Sequence, residues 1–169
     1  MRIISAIVLA AVFALPAVAQ KVVRTGTASP SFTAASLDGN HYDLAAMRGK
    51  VVVLTFWSTR CEICRHEIPK LNGLMSKYDP QKVTFLAPSS DNSQKITLYL
   101  KTNPFNFHIL PDSFSLLLQY ADQDGAGNLN FGFPSYFVID KSGKLVYKAS
   151  GWDHTNELAN QISQLISAE

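Results

Sequence analysis

The chain has 169 residues, 47% of them apolar, and a formal net charge of +2 at pH 7. That length suits one domain able to bury its own core, and no long low-complexity tract interrupts it. The charge balance offers none of the basic surplus that marks nucleic-acid binding, so nucleic acid is not an expected partner.

Residues 1–19 hold one early cation, Arg2, an apolar run over residues 3–15, then Pro16 and the small-residue triplet Ala17-Val18-Ala19. This pattern predicts a secretory signal cleaved before Gln20, leaving a single domain over residues 20–169. A retained membrane anchor is the alternative, against which Pro16 and the triplet argue. Export places both cysteines where disulfides persist.

Residues 31–35 and 41–44 flank Leu37-Asp38-Gly39-Asn40, which predicts a hairpin on an Asp-Gly turn. Arg48-Gly49-Lys50 then leads into residues 51–57, a β-branched and aromatic run with the length of a buried strand. Cys61-Glu62-Ile63-Cys64 follows, and from Cys61 the spacing of Cys64, Ile68, Leu71 and Met75 predicts a helix ending near Lys77, kinked at Pro69.

The chain has only these two cysteines. As a staple they would close a loop of about four residues, worth roughly 2 kcal/mol against about 3 for fifteen. A zinc site would need two more ligands from His41, His66, His108, His154 or carboxylates, and haem attachment would need His where Arg65 stands. A redox dithiol fits best, because a strand, a short turn and a helix N-terminus are the setting that stabilises a thiolate. Cys61, at the helix start, is then the exposed nucleophile, favoured by unpaired backbone N–H groups and Arg60 and opposed by Glu62. Cys64, one turn in, resolves the mixed disulfide.

Further on, the sequence predicts a strand at residues 83–87, helices at 91–102 and 113–120, an extended piece at 107–110 and an exposed loop at 121–130. Residues 135–140 and 145–149 flank a Lys-Ser-Gly-Lys turn and predict a second hairpin. Leu158, Ile162, Leu165 and Ile166 mark a final helix, with Asp153 or Thr155 as its cap. The order gives an α/β fold, a central mixed sheet covered by helices and preceded by an N-terminal hairpin extension.

Trp57-Ser58-Thr59-Arg60-Cys61-Glu62-Ile63-Cys64-Arg65-His66-Glu67-Ile68-Pro69, and later Gly132-Phe133-Pro134-Ser135-Tyr136-Phe137-Val138-Ile139-Asp140, resemble the thioredoxin superfamily, specifically the TlpA/ResA-like exported oxidoreductases. The resemblance spans nearly all of residues 20–169. It implies a thioredoxin-like fold, a cis-proline at Pro134 facing the cysteines, and a substrate face of Trp57, Phe133 and Pro134. It also implies that Glu67 exchanges protons with Cys64, while Thr55 stands where many thioredoxins carry a buried Asp. Arg60, Ile63 and Phe133 depart from the residues common in the family and bear on partner choice.

By this resemblance the protein is a periplasmic enzyme without cofactor or metal, a monomer that reduces disulfides of exported proteins and is recharged by a membrane thiol donor. Substrates in cytochrome c or copper-site maturation are implied. Three alternatives stand beside it: an oxidase or isomerase of folding proteins, a copper(I) chaperone using Cys61, Cys64 and His66, and a peroxide reductase. The last normally needs Pro and Thr seven and three residues before its Cys, where this chain has Leu54 and Ser58.

Overall fold

The computed structural model describes residues 23–123 and 128–167, so the expected signal at residues 1–19 lies outside the described residues. A hairpin comes first, β1 (Thr33–Ala35) and β2 (His41–Asp43), turning through Gly39 at φ +82°, a left-handed conformation that suits glycine. Then follow β3 (Val51–Phe56), α1 (Glu62–Met75), β4 (Val83–Pro88), α2 (Ser93–Leu100), β5 (His108–Leu110) and α3 (Phe114–Tyr120). A short ribbon, β6 (Asp122–Gln123) and β7 (Leu129–Asn130), precedes β8 (Ser135–Ile139), β9 (Leu145–Ser150) and α4 (Thr155–Ser167).

The main sheet has the order β5-β4-β3-β8-β9, with β3, β4 and β5 parallel and β8 and β9 antiparallel. β3 is paired on both edges and every residue in it is buried, which is why it reads as a continuous apolar run without alternation. Successive side chains serve opposite faces. Val51, Val53 and Trp57 join the core built with Cys64, Ile68 and Leu71 of α1 and Leu158 and Ile162 of α4. Val52, Leu54 and Phe56 join a second core with Phe32, Leu44, Leu116 and Tyr120.

Four local expectations change. α1 begins at Glu62 with Cys61 as its cap, and α2 begins at Ser93, where the Asn92 side chain accepts the Lys95 N–H at 3.0 Å, leaving Asp91 outside the helix. Neither Asp153 nor Thr155 caps α4. The Leu158 N–H reaches the His154 carbonyl at 3.0 Å, and Asp153 is turned out of the helix at φ +63°. The expected loop at 121–130 contains the β6–β7 ribbon, with Asp122 opposite Asn130; residues 124–127 lie outside the described residues.

Candidate active site

β3 delivers the chain to the cysteines. The Trp57 N–H continues the ladder to the Pro88 carbonyl at 3.1 Å, the chain turns through Ser58, Thr59 and Arg60, and the Cys61 N–H returns to the Ser58 carbonyl at 3.1 Å. Cys61 and Cys64 are joined as a disulfide with Cα atoms 5.2 Å apart. Cys61 is half-buried while Cys64 is 1% exposed, so the first cysteine is the more open of the two, though less open than the exposed position the sequence predicts. The Cys61 Sγ accepts the backbone N–H of Cys64 at 3.0 Å, taking the place an oxygen usually holds at a helix cap. This first-turn N–H, directed at the sulfur from the helix N-terminus, favours negative charge on it once the disulfide is opened.

The ionic side chains near the pair are mostly exposed. Glu62 binds Arg65 at 2.5 Å and His66 at 3.2 Å, all three more than half exposed, so solvent screens their effect on the sulfur. Asp91 differs. It is 6% exposed, and its Oδ2 accepts the Thr59 N–H at 2.8 Å, the Ser58 hydroxyl at 2.9 Å and the Thr59 hydroxyl at 3.0 Å. Burial works to raise its carboxyl, but these hydrogen bonds and the charge of Lys95 outweigh burial and hold it below the usual carboxylate range. Sequence reading missed this residue; the only local signal was an acidic side chain just past the end of a buried strand.

The Phe133-Pro134 peptide bond is cis. Phe56 pairs with Ser135 across β3 and β8, a register that brings Pro134 alongside Trp57, four residues before Cys61. Pro134 is buried, and its carbonyl accepts the Gly151 N–H at 2.8 Å. Phe133 is partly exposed and meets the Phe131 ring edge-on at 5.6 Å. Trp57 requires a correction: it is 0% exposed, its indole N–H donates to the Ala87 carbonyl at 3.2 Å, and its ring packs against Tyr99 and Phe105. It supports the site from beneath and offers a substrate no surface, because a large aromatic ring inside this core is enclosed on every side.

Glu67 lies one turn beyond Cys64 on the buried face of α1 and is itself 0% exposed. Its two oxygens are engaged, Oε1 by the Lys70 ammonium at 2.9 Å and Oε2 by the Asp153 N–H at 3.3 Å. Lys70 also reaches the Asp153 carboxylate at 3.2 Å, and its hydrogen bonds to Glu67 and Asp153 hold its ammonium above the ordinary range. Thr55 and Tyr136 are partners across β3 and β8, and among the described residues neither buried hydroxyl has a hydrogen-bond partner. Burial, followed by the Glu67 charge, pushes the Tyr136 phenol up. Among the described residues, no group of three or more His, Cys, Asp or Glu side chains is placed to hold a metal ion.

Residues 25–148 match the AhpC/TSA family. The chain is 28% identical over 145 residues to the thiol-disulfide oxidoreductase ResA of Bacillus cereus, covering 85% of this chain and 79% of that protein. It is 32% identical over 124 residues to ResA of Geobacillus thermodenitrificans, covering 73% and 67%. Among solved structures, a putative protein disulfide isomerase from Bacteroides thetaiotaomicron superposes with a TM-score of 0.74 at 24% identity, covering 86% of this chain and 92% of that one. A putative thiol:disulfide interchange protein DsbE from Chlorobium tepidum gives 0.69 at 24% identity, covering 86% and 97%. The chain belongs to the AhpC/TSA family of the thioredoxin superfamily and is a thiol-disulfide oxidoreductase of the ResA type.

Proposed function

We propose that this protein reduces disulfides in exported proteins, with Cys61 as nucleophile and Cys64 as resolving thiol. The observation that carries the division of roles is the asymmetry of the pair: Cys61 is half-buried and its sulfur accepts the Cys64 N–H, whereas Cys64 is 1% exposed. The Cys61 thiolate attacks one sulfur of a substrate disulfide, forming a mixed disulfide and releasing the other substrate sulfur as a thiolate that takes up a proton. Cys64 then loses its proton and attacks the Cys61 sulfur, which releases the second substrate thiol and leaves the Cys61–Cys64 disulfide. Two electrons pass to the substrate, and a membrane thiol donor returns them.

Glu67 is assigned the proton exchange with Cys64, since it is the buried carboxylate one turn along the same helix face. Phe133 and the backbone around Pro134 form the surface beside which a substrate segment lies in extended form. The signal pattern at residues 1–19 supports export to the periplasm, with residues 20–169 as the exported, monomeric domain. No helix of the described residues is long and apolar enough to cross a membrane. Apoproteins of cytochrome c or of copper-site assembly are the proposed substrates. The test is a Cys64→Ser variant incubated with a disulfide-bearing apocytochrome c: a stable adduct through Cys61 supports the reading, and the absence of any adduct contradicts it.

A further inference from the structure

Asp91 stands outside the sulfur chemistry yet holds the segment that presents Cys61. Its own backbone is fixed on both sides, the N–H by the Ser89 hydroxyl at 3.1 Å and the carbonyl by the Asp112 N–H at 3.0 Å. The carboxylate therefore projects from a rigid base at the end of β4. It takes three hydrogen bonds from Ser58 and Thr59, and Ser58 in turn accepts the Cys61 N–H. Thr59 is two residues from Cys61, so their Cα atoms are within about 7 Å. The charge is thus held on the chain segment that ends two residues before the reactive cysteine.

The charged side chains around this segment, Arg60, Glu62, Arg65 and Lys95, are all exposed. Glu62 and Arg65 are engaged with each other on the outer face of α1, and Lys95 acts from α2 without an ion pair to Asp91 among the described residues. Exposed charges are screened by water, whereas a 6% exposed carboxylate acts through the protein interior. We infer that Asp91 is a positioning residue for Cys61 whose negative charge disfavours the thiolate and makes the Cys61–Cys64 dithiol the stronger reductant. The physical basis is that a couple becomes oxidising when its reduced form is stabilised, and a nearby carboxylate does the reverse. This inference rests on Cys61 being the nucleophile and supplies a determinant of the reductive direction proposed above.

The experiment equilibrates the full chain, Asp91→Asn and Ser58→Ala with glutathione redox buffers and reads the dithiol fraction. Asparagine keeps an acceptor for Thr59 and removes the charge. Its equilibrium constant is expected to move about tenfold toward the dithiol, which is about 30 mV for this two-electron couple. Iodoacetamide should also alkylate its Cys61 several-fold faster at pH 7. Ser58→Ala removes a donor but keeps the charge, and should stay within twofold of the parent. If Asp91→Asn does not fold, Thr59→Lys sets an ammonium against the same carboxylate and should shift the constant in the same direction. An Asp91→Asn constant within twofold of the parent, a shift the other way, or an equal shift in Ser58→Ala would overturn the inference. An oxidising parent potential combined with the expected Asp91→Asn shift would instead overturn the reductive reading and leave the role of Asp91 standing.

Discussion

The backbone N–H of Cys64 donates to the Cys61 sulfur over 3.0 Å, so the helix carrying the resolving cysteine is capped by its partner in the redox pair. Reduced protein is therefore expected to react at Cys61 at least about tenfold faster than at Cys64, since thiolate character and access both favour the first sulfur. Brief alkylation followed by peptide mass analysis checks this. Equal labelling of the two residues would remove the basis for their different roles.

Glu67→Gln keeps the side-chain shape while removing the charge that Lys70 and the Asp153 N–H share. Loss of a positioned proton-exchange group is expected to slow turnover by about a hundredfold. Loss of the charged hydrogen bonds should lower stability by about 1.5–3 kcal/mol. Stopped-flow exchange and urea unfolding separate the two effects, and a variant that is destabilised but fully active would leave Glu67 structural.

The Asp140 carboxylate closes the β8–β9 turn, accepting the Ser142 N–H at 2.9 Å, the Ser142 hydroxyl at 2.7 Å and the Lys144 N–H at 2.9 Å. Burial works to raise its carboxyl, and these bonds outweigh it and hold the group below the usual range. A carboxyl depressed in the folded state contributes stability above its unfolded value of about 3.9, and that contribution is lost as pH falls through the folded value. Asp140→Ala should thus cost about 1–3 kcal/mol at pH 7, with the difference from the parent shrinking below about pH 4. Urea midpoints measured from pH 7 to pH 3 test the sign.

Phe133 offers the partly exposed ring next to the cis-proline. Phe133→Ala is expected to raise KM for a protein disulfide by about tenfold, the equivalent of 1.4 kcal/mol of contact, while exchange with glutathione disulfide changes little. Parallel kinetics on the two substrates decide it; equal effects on both would place Phe133 in support of the cysteines and outside the substrate surface.

Because Trp57 is 0% exposed, Trp57→Ala is expected to destabilise the fold by about 3–5 kcal/mol. Trp57→Phe, which keeps the core filled, should leave KM for a protein disulfide within about twofold. Unfolding and steady-state assays together distinguish the core role from direct substrate contact.

Much of the architecture was legible because it is written locally. The β-branched run ending at Phe56, the spacing of Ile68 and Leu71 and the two hairpins each leave a periodic or turn signature in neighbouring residues. What the sequence hid depends on distant partners. Asp91 meets Ser58 and Thr59 across more than thirty positions, and Lys70 meets Asp153 across eighty-three. Trp57 illustrates the same limit, since its place beside the cysteines suggests a substrate face whereas Tyr99 and Phe105 enclose it. The β6–β7 ribbon was hidden for another reason, as its strands are two residues each, too short for alternation to register.

The reductive function is tested most directly by the potential of the Cys61–Cys64 couple, read by equilibrating residues 20–169 in dithiothreitol and glutathione buffers. A value near or below about −270 mV, that of thioredoxin, is expected of a protein that reduces others. A value near −120 mV would contradict it and make the protein an oxidase of folding chains.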